Sequence, residues 1–166
     1  MTKTRAEKTA ATSIRRCRQA DTQRVAKWLR AQKGRTFYDG IVPDSGRFAN
    51  EFREVCLGEL RGTSFARMIV TNSYHPHGLL LGTIIPMFGL RESYATDLLF
   101  LTDREGVWGA EKLFCQFLTW GKLRAGNVIV ASTSGIRPRG IEKFYEKFGM
   151  QHLGPVYGLK GEPCRE

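Results

Sequence analysis

No stretch of this 166-residue chain comes near the roughly 18 uninterrupted apolar residues that a helical membrane span requires, so a membrane-spanning helix is not expected. The first residues also lack the apolar segment of a secretory leader, and the expectation is a cytoplasmic protein. Cysteine is sparse and unpaired. Cys17, Cys56, Cys115 and Cys164 form no CxxC pair and have no histidine at ligand spacing, which argues against a disulfide framework and against a metal site. They read as free thiols in a reducing compartment, with Cys115, inside an apolar helix pattern, expected as core filler. No internal repeat and no interdomain linker interrupts the chain, and its length fits one domain with its own core. Acid is nearly missing from the first 18 residues, where Lys3, Arg5, Lys8, Arg15, Arg16 and Arg18 face Glu7 alone. Residues 1–12 lack apolar periodicity as well and read as a flexible basic arm, with a single domain expected over residues 13–166.

What is present in excess is positive charge, +10 over the whole sequence. Such a field draws in nucleic acid, anionic cofactors or acidic partners, and it also serves solubility when spread over solvated faces. Charge alone leaves both readings open.

Hydrophobic periodicity predicts the order β α α β β β α β α β. Ser13–Arg18 alternates like a short strand, and Asp21 can cap a helix carrying Val25, Trp28 and Leu29 that ends near Gly34. Thr36–Gly46 has loop chemistry, after which Phe48, Phe52, Val55 and Cys56 recur at helical spacing until Gly58. Phe65–Thr71 and Gly78–Ile85 read as a hairpin, with His75 and His77 flanking Pro76 in an exposed turn. Tyr94–Leu101 is a third strand. Gly109–Arg124 is the clearest helix, with Ala110, Leu113, Phe114, Phe117 and Leu118 as one apolar stripe. Gly126–Ser132 reads as a buried strand. Pro138 opens a helix carrying Ile141, Phe144, Tyr145 and Phe148 and stopped by Gly149. His152–Leu159 reads as a last strand. Helices on both sides of the strand series predict an α/β or α+β domain.

The segment with the most chemistry is strand–turn–helix. Asp97–Leu101 runs into Thr102-Asp103-Arg104-Glu105-Gly106-Val107-Trp108-Gly109-Ala110 and straight on into the helix. First-turn amides have no partner inside their helix, and the helix dipole adds positive potential, so such a turn suits a pyrophosphate. Two glycines and an alanine allow close backbone approach. Downstream, Ser134-Gly135-Ile136 precedes a helix ending in Tyr145-Glu146-Lys147-Phe148-Gly149-Met150.

These pieces resemble the C-terminal half of the GNAT N-acetyltransferase superfamily, whose last helix ends in a Tyr-Glu-Lys-x-Gly-Phe-like stretch. The Arg104–Ala110 turn resembles the family's Gln/Arg-x-x-Gly-x-Gly/Ala turn but departs from it. Starting at Arg104 places Val107 at the inner glycine; starting at Glu105 places Trp108 there. Small phage-encoded GNAT proteins show similarly relaxed turns. The resemblance implies a mixed, mostly antiparallel sheet flanked by helices and splayed between its fourth and fifth strands. It implies acetyl-CoA as co-substrate, with the pantetheine along Leu99, Phe100 and Leu101 and the pyrophosphate on the turn of Arg104, Glu105, Gly106, Val107, Trp108, Gly109 and Ala110. An amine acceptor of unspecified class would attack the thioester directly in a ternary complex. Tyr145 matches the family tyrosine that protonates the departing thiolate; its competing reading is a core aromatic beside Phe144 and Phe148. Asp97 and Glu92 stand where the family places a carboxylate base, and both also fit as solvated acids. The altered turn keeps open a different class of function, a GNAT-fold binding protein that has lost catalysis and contacts nucleic acid or a host protein. A monomer or a homodimer fits either reading.

Overall fold

The computed structural model describes residues 12–32, 45–71, 74–87, 92–126, 129–130 and 138–151. In chain order these form β1 (Ser13–Arg16), a short 3-10 turn (Gln19–Asp21), α1 (Thr22–Ala31), α2 (Ser45–Arg61), β2 (Ser64–Val70), β3 (Pro76–Pro86), β4 (Ser93–Thr102), α3 (Val107–Ala125), β5 (Ile129–Val130) and α4 (Pro138–Lys147). Of the basic arm over residues 1–12 only residue 12 is described; of the predicted loop Thr36–Gly46, residues 36–44 lie outside the described residues while Ser45 and Gly46 already belong to α2, and the predicted last strand at His152–Leu159 lies outside them.

The strands form one sheet in the order β1-β2-β3-β4-β5, antiparallel except for β4 with β5. This is the mixed, mostly antiparallel sheet flanked by helices that the sequence predicts. Helices cover both faces, which is why β2 and β3 read as nearly continuous apolar runs. Alternate residues serve opposite layers. Ala66, Met68, Val70, Leu79 and Leu81 join Val25, Trp28, Phe52 and Cys56 under α1 and α2. Phe65, Ile69 and Leu80 join Leu113, Phe114, Phe117 and Tyr145 under α3 and α4.

Several local expectations are corrected. Asp21 does not cap α1 through its side chain. Its carboxylate accepts the Arg18 amide at 2.8 Å, closing the 3-10 turn, and takes both terminal nitrogens of Arg15 at 2.7 and 2.8 Å. Gly58 does not stop α2, which runs on to Arg61. A Cβ there would sit 2.4 Å from the Ser64 Oγ, so glycine lets the helix close onto β2, and the reversal falls at Gly62, whose φ of +78° suits glycine. Cys115 is exposed rather than core, because the buried stripe of α3 runs through Ala110, Leu113, Phe114, Phe117 and Gly121 and passes it by. His77 is not an exposed turn residue. β3 begins at Pro76, which draws His77 into the sheet and buries it, while His75 stays exposed.

Candidate active site

The site is assembled around β4. Gly82 of β3 pairs with Asp97, but Leu81 pairs with Leu99, so Leu98 is an extra residue without a partner on β3. A bulge of this kind re-aims the side chains beyond it. Leu99 and Leu101 consequently pack toward α1 and α2, whereas Phe100 packs toward α3 and α4, its ring 5.6 Å from those of both Phe114 and Phe144. Leu98 itself is left exposed. On its other edge β4 pairs with β5 at Ala95↔Ile129 and Thr96↔Val130. Among the described residues that pairing ends at Thr96, and Asp97–Thr102, with the backbone of Leu99, Phe100 and Leu101, continues along the same edge.

Asp97 is buried, and so is Tyr145 of α4. The tyrosine ring packs 5.3 Å from Phe114 and 5.9 Å from Phe144. Burial pushes the Tyr145 phenol well above its usual value, and the negative charge of Asp97 adds to the rise. The fold therefore brings Tyr145 and Asp97 together, and the phenol stays protonated across the physiological range. Glu92 is not gathered with them. It is exposed at the β3–β4 connection, its carbonyl accepting the Met87 amide at 2.9 Å, and five residues of strand place it roughly 17 Å from Asp97.

After Thr102 the chain turns into α3, and Asp103 organises the turn, a role not read from the sequence. One carboxylate oxygen accepts the amides of Glu105 at 3.0 Å and Gly106 at 2.9 Å. The other accepts the Trp28 indole N–H at 3.1 Å and faces His77 Nδ1 at 3.0 Å, which assigns the imidazole proton to that nitrogen. The Asp103 amide donates to the His77 carbonyl at 2.9 Å. Burial works to raise the Asp103 carboxyl, but the hydrogen bonds from Trp28, Gly106 and His77 outweigh it and hold the group below its ordinary value. Glu105 adds an oxygen 3.4 Å from His77 Nε2.

The glycines of the turn are used by the chain itself. A Cβ on Gly106 would stand 1.9 Å from the His77 carbonyl oxygen, and one on Gly109 would stand 2.9 Å from Ile69 Cδ1. Ala110 is buried against the sheet. Arg104 and Glu105 are exposed, Val107 is 53% exposed and Trp108 81% exposed, so neither large side chain is packed into the fold. The turn thus presents to solvent one guanidinium and a bare indole. Among the described residues no group of three or more His, Cys, Asp or Glu could hold a metal ion, and no helix is long and apolar enough to cross a membrane.

No protein-family model and no curated protein matches the sequence. Solved structures do match. Glucosamine-6-phosphate N-acetyltransferase from Arabidopsis thaliana is 15% identical, with a TM-score of 0.68 over 92% of this chain and 99% of that one. A transcriptional regulator from Bacillus halodurans C-125 is 19% identical, with a TM-score of 0.67 over 91% and 100%. AAC(6')-Iy, in complex with the bisubstrate analogue CoA-S-monomethyl-acetylneamine, is 14% identical, with a TM-score of 0.63 over 93% and 100%. At these identities the likeness concerns architecture: the chain has the GNAT fold of known N-acetyltransferases.

Proposed function

We propose that the chain is a cytoplasmic N-acetyltransferase that carries an acetyl group from acetyl-CoA to an amine by direct attack in a ternary complex. The observation that carries this reading is the pairing of a buried, proton-retaining Tyr145 with a buried Asp97 on β4, next to the residues through which β4 pairs with β5. When bound, acetyl-CoA supplies the activated acyl group as a thioester. The backbone of Leu99, Phe100 and Leu101 would then hold the pantetheine as an added strand along that edge. The diphosphate falls to the start of α3, with Arg104 as its charged partner. Asp103 already engages the Glu105 and Gly106 amides and the Gly106 carbonyl takes the Gly109 amide, so the contacts fall to Val107 and Trp108, with Gly109 and Ala110 behind them as small residues rather than as donors. Tyr145 is suited to proton donation because its neutral form is strongly favoured, and Asp97 maintains that preference. Asp97 is also the better placed of the two carboxylates to take the proton of the attacking amine; Glu92 serves only an acceptor that arrives from solvent at the far end of β4.

A thermal-unfolding titration tests the reading. Acetyl-CoA at about a hundred times its dissociation constant stabilises the fold by roughly 2.7 kcal/mol, a readily measured rise in Tm. Tyr145→Phe keeps that rise and lowers kcat about a hundredfold. Unchanged turnover removes Tyr145 from the chemistry.

A second reading draws on the Asp103 carboxylate, which occupies two amide donors of the turn, and on the bulk of Val107 and Trp108 there. It is a GNAT-fold binding protein without catalysis, with Val107 or Trp108, according to the register of the turn, in place of the family's inner glycine, acting on nucleic acid or a host protein through its positive charge. It predicts no stabilisation by millimolar acetyl-CoA and a steep salt dependence of retention on DNA.

A further inference from the structure

The exposed face of Trp108 has no role in the fold. The indole is 81% exposed and the neighbouring Val107 53% exposed, on the first turn of a 19-residue helix whose opposite side is fully seated on the sheet. The other tryptophans differ: Trp28 is buried and hydrogen-bonded to Asp103, and Trp120 is partly buried against Phe65 and Phe117. A large aromatic left in water four residues after an exposed Arg104 is an apolar surface on the same turn as a guanidinium, a group suited to phosphate.

Resting on the acetyl-CoA reading, we infer that the Trp108 indole is the seat of the cofactor's adenine ring. Helical side chains lean toward the N-terminus of their helix, so a side chain on the first turn leans over the same opening that its amides face. A diphosphate held there carries its adenosine to one side, within reach of a neighbouring aromatic. The purine presents a flat π-face, and an indole accepts it without matching hydrogen bonds. An indole at this position would serve as a stacking platform. This compensates for the two amides that Asp103 withholds. Specificity follows: the site discriminates in favour of nucleotide-bearing thioesters over the bare pantetheine arm.

The test is a binding titration of the full chain with acetyl-CoA and with S-acetyl-pantetheine, followed by calorimetry and by tryptophan emission. Trp108 supplies the solvent-exposed, red-shifted component. The expected result is that acetyl-CoA quenches this component and shields it from acrylamide, whereas S-acetyl-pantetheine does neither. Trp108→Ala weakens acetyl-CoA binding about tenfold, and Trp108→Phe, which keeps a ring, stays within about threefold. Both variants change an exposed side chain and fold normally. Equal affinity of Trp108→Ala and the parent for acetyl-CoA overturns the adenine seat while leaving the acetyltransferase reading intact. Absence of acetyl-CoA binding by the parent chain overturns both.

Discussion

Whether a thiol reacts depends on whether its anion is tolerated where it sits, and the cysteines differ sharply in this respect. Cys17 and Cys56 lie buried between the sheet and the α1/α2 layer. Burial pushes the Cys56 thiol up to about 11, helped by the charges of Asp21 and Glu59, and burial with the nearby Cys56 likewise raises Cys17 well above its ordinary value. Cys115 faces solvent from the outer side of α3. Alkylation with iodoacetamide at pH 8 therefore labels Cys115 in the native protein, while Cys17 and Cys56 react only after denaturant is added. Peptide mapping by mass spectrometry checks this, and early label on Cys56 contradicts the packing described. Tyr145 shows the same dependence on surroundings. Its ring is core and its hydroxyl is a candidate acid, so the two readings of that residue describe different ends of one side chain.

At the scale of elements, the start of α3 is fixed by how closely its turn rests on β3. A Cβ at position 106 would meet backbone, the His77 carbonyl oxygen at 1.9 Å, and backbone in a sheet cannot swing aside. Gly106→Ala should cost about 3 kcal/mol, roughly 8 °C in Tm for a domain of this size. At Gly109 the nearest atom is the flexible end of Ile69, and alanine is the better helix former, so Gly109→Ala should stay within about 1 kcal/mol of the parent. Urea unfolding of the pair checks the contrast; equal losses would mean that the turn is looser than this geometry. The strands and helices themselves were legible because periodicity is local: β2, β3 and α3 announce their buried faces in successive residues. The strand–turn–helix of Asp97–Leu118 and the aromatic stripe around Tyr145 were legible for the same reason. The Asp103 hub was not. Its partners come from positions 28, 77, 105 and 106, on elements that only the finished sheet brings together. The one local signal was an aspartate two and three residues before the amides it binds, which reads as an ordinary turn. His77 was misjudged because Pro76 looks like a turn residue and here begins a strand.

Across the whole molecule, α1 is tied down at both ends by a carboxylate. Near its start Asp21 holds Arg15 of β1 and the Arg18 amide; near its end Trp28 donates to Asp103 on the far side of β3. Two acids thus join the first strand, the first helix, the middle of the sheet and the start of α3. Burial opposes ionisation at both, and hydrogen bonds prevail at both: Arg15 and Arg18 lower Asp21, while Trp28, Gly106 and His77 lower Asp103. A carboxyl whose folded value lies below its unfolded value, near 3.9, adds stability that is complete above that unfolded value and is lost as pH falls toward the folded one. Stability should therefore be flat from about pH 8 down to about pH 5 with respect to these two groups, then fall steeply below about pH 4. Asp21→Asn and Asp103→Asn each start less stable at neutral pH and each show a shallower acid limb, because the proton that the parent must take up is already accounted for. Urea unfolding at a series of pH values measures both effects. An acid limb as steep in the variants as in the parent would place the acid sensitivity elsewhere and release α1 from this pair of ties.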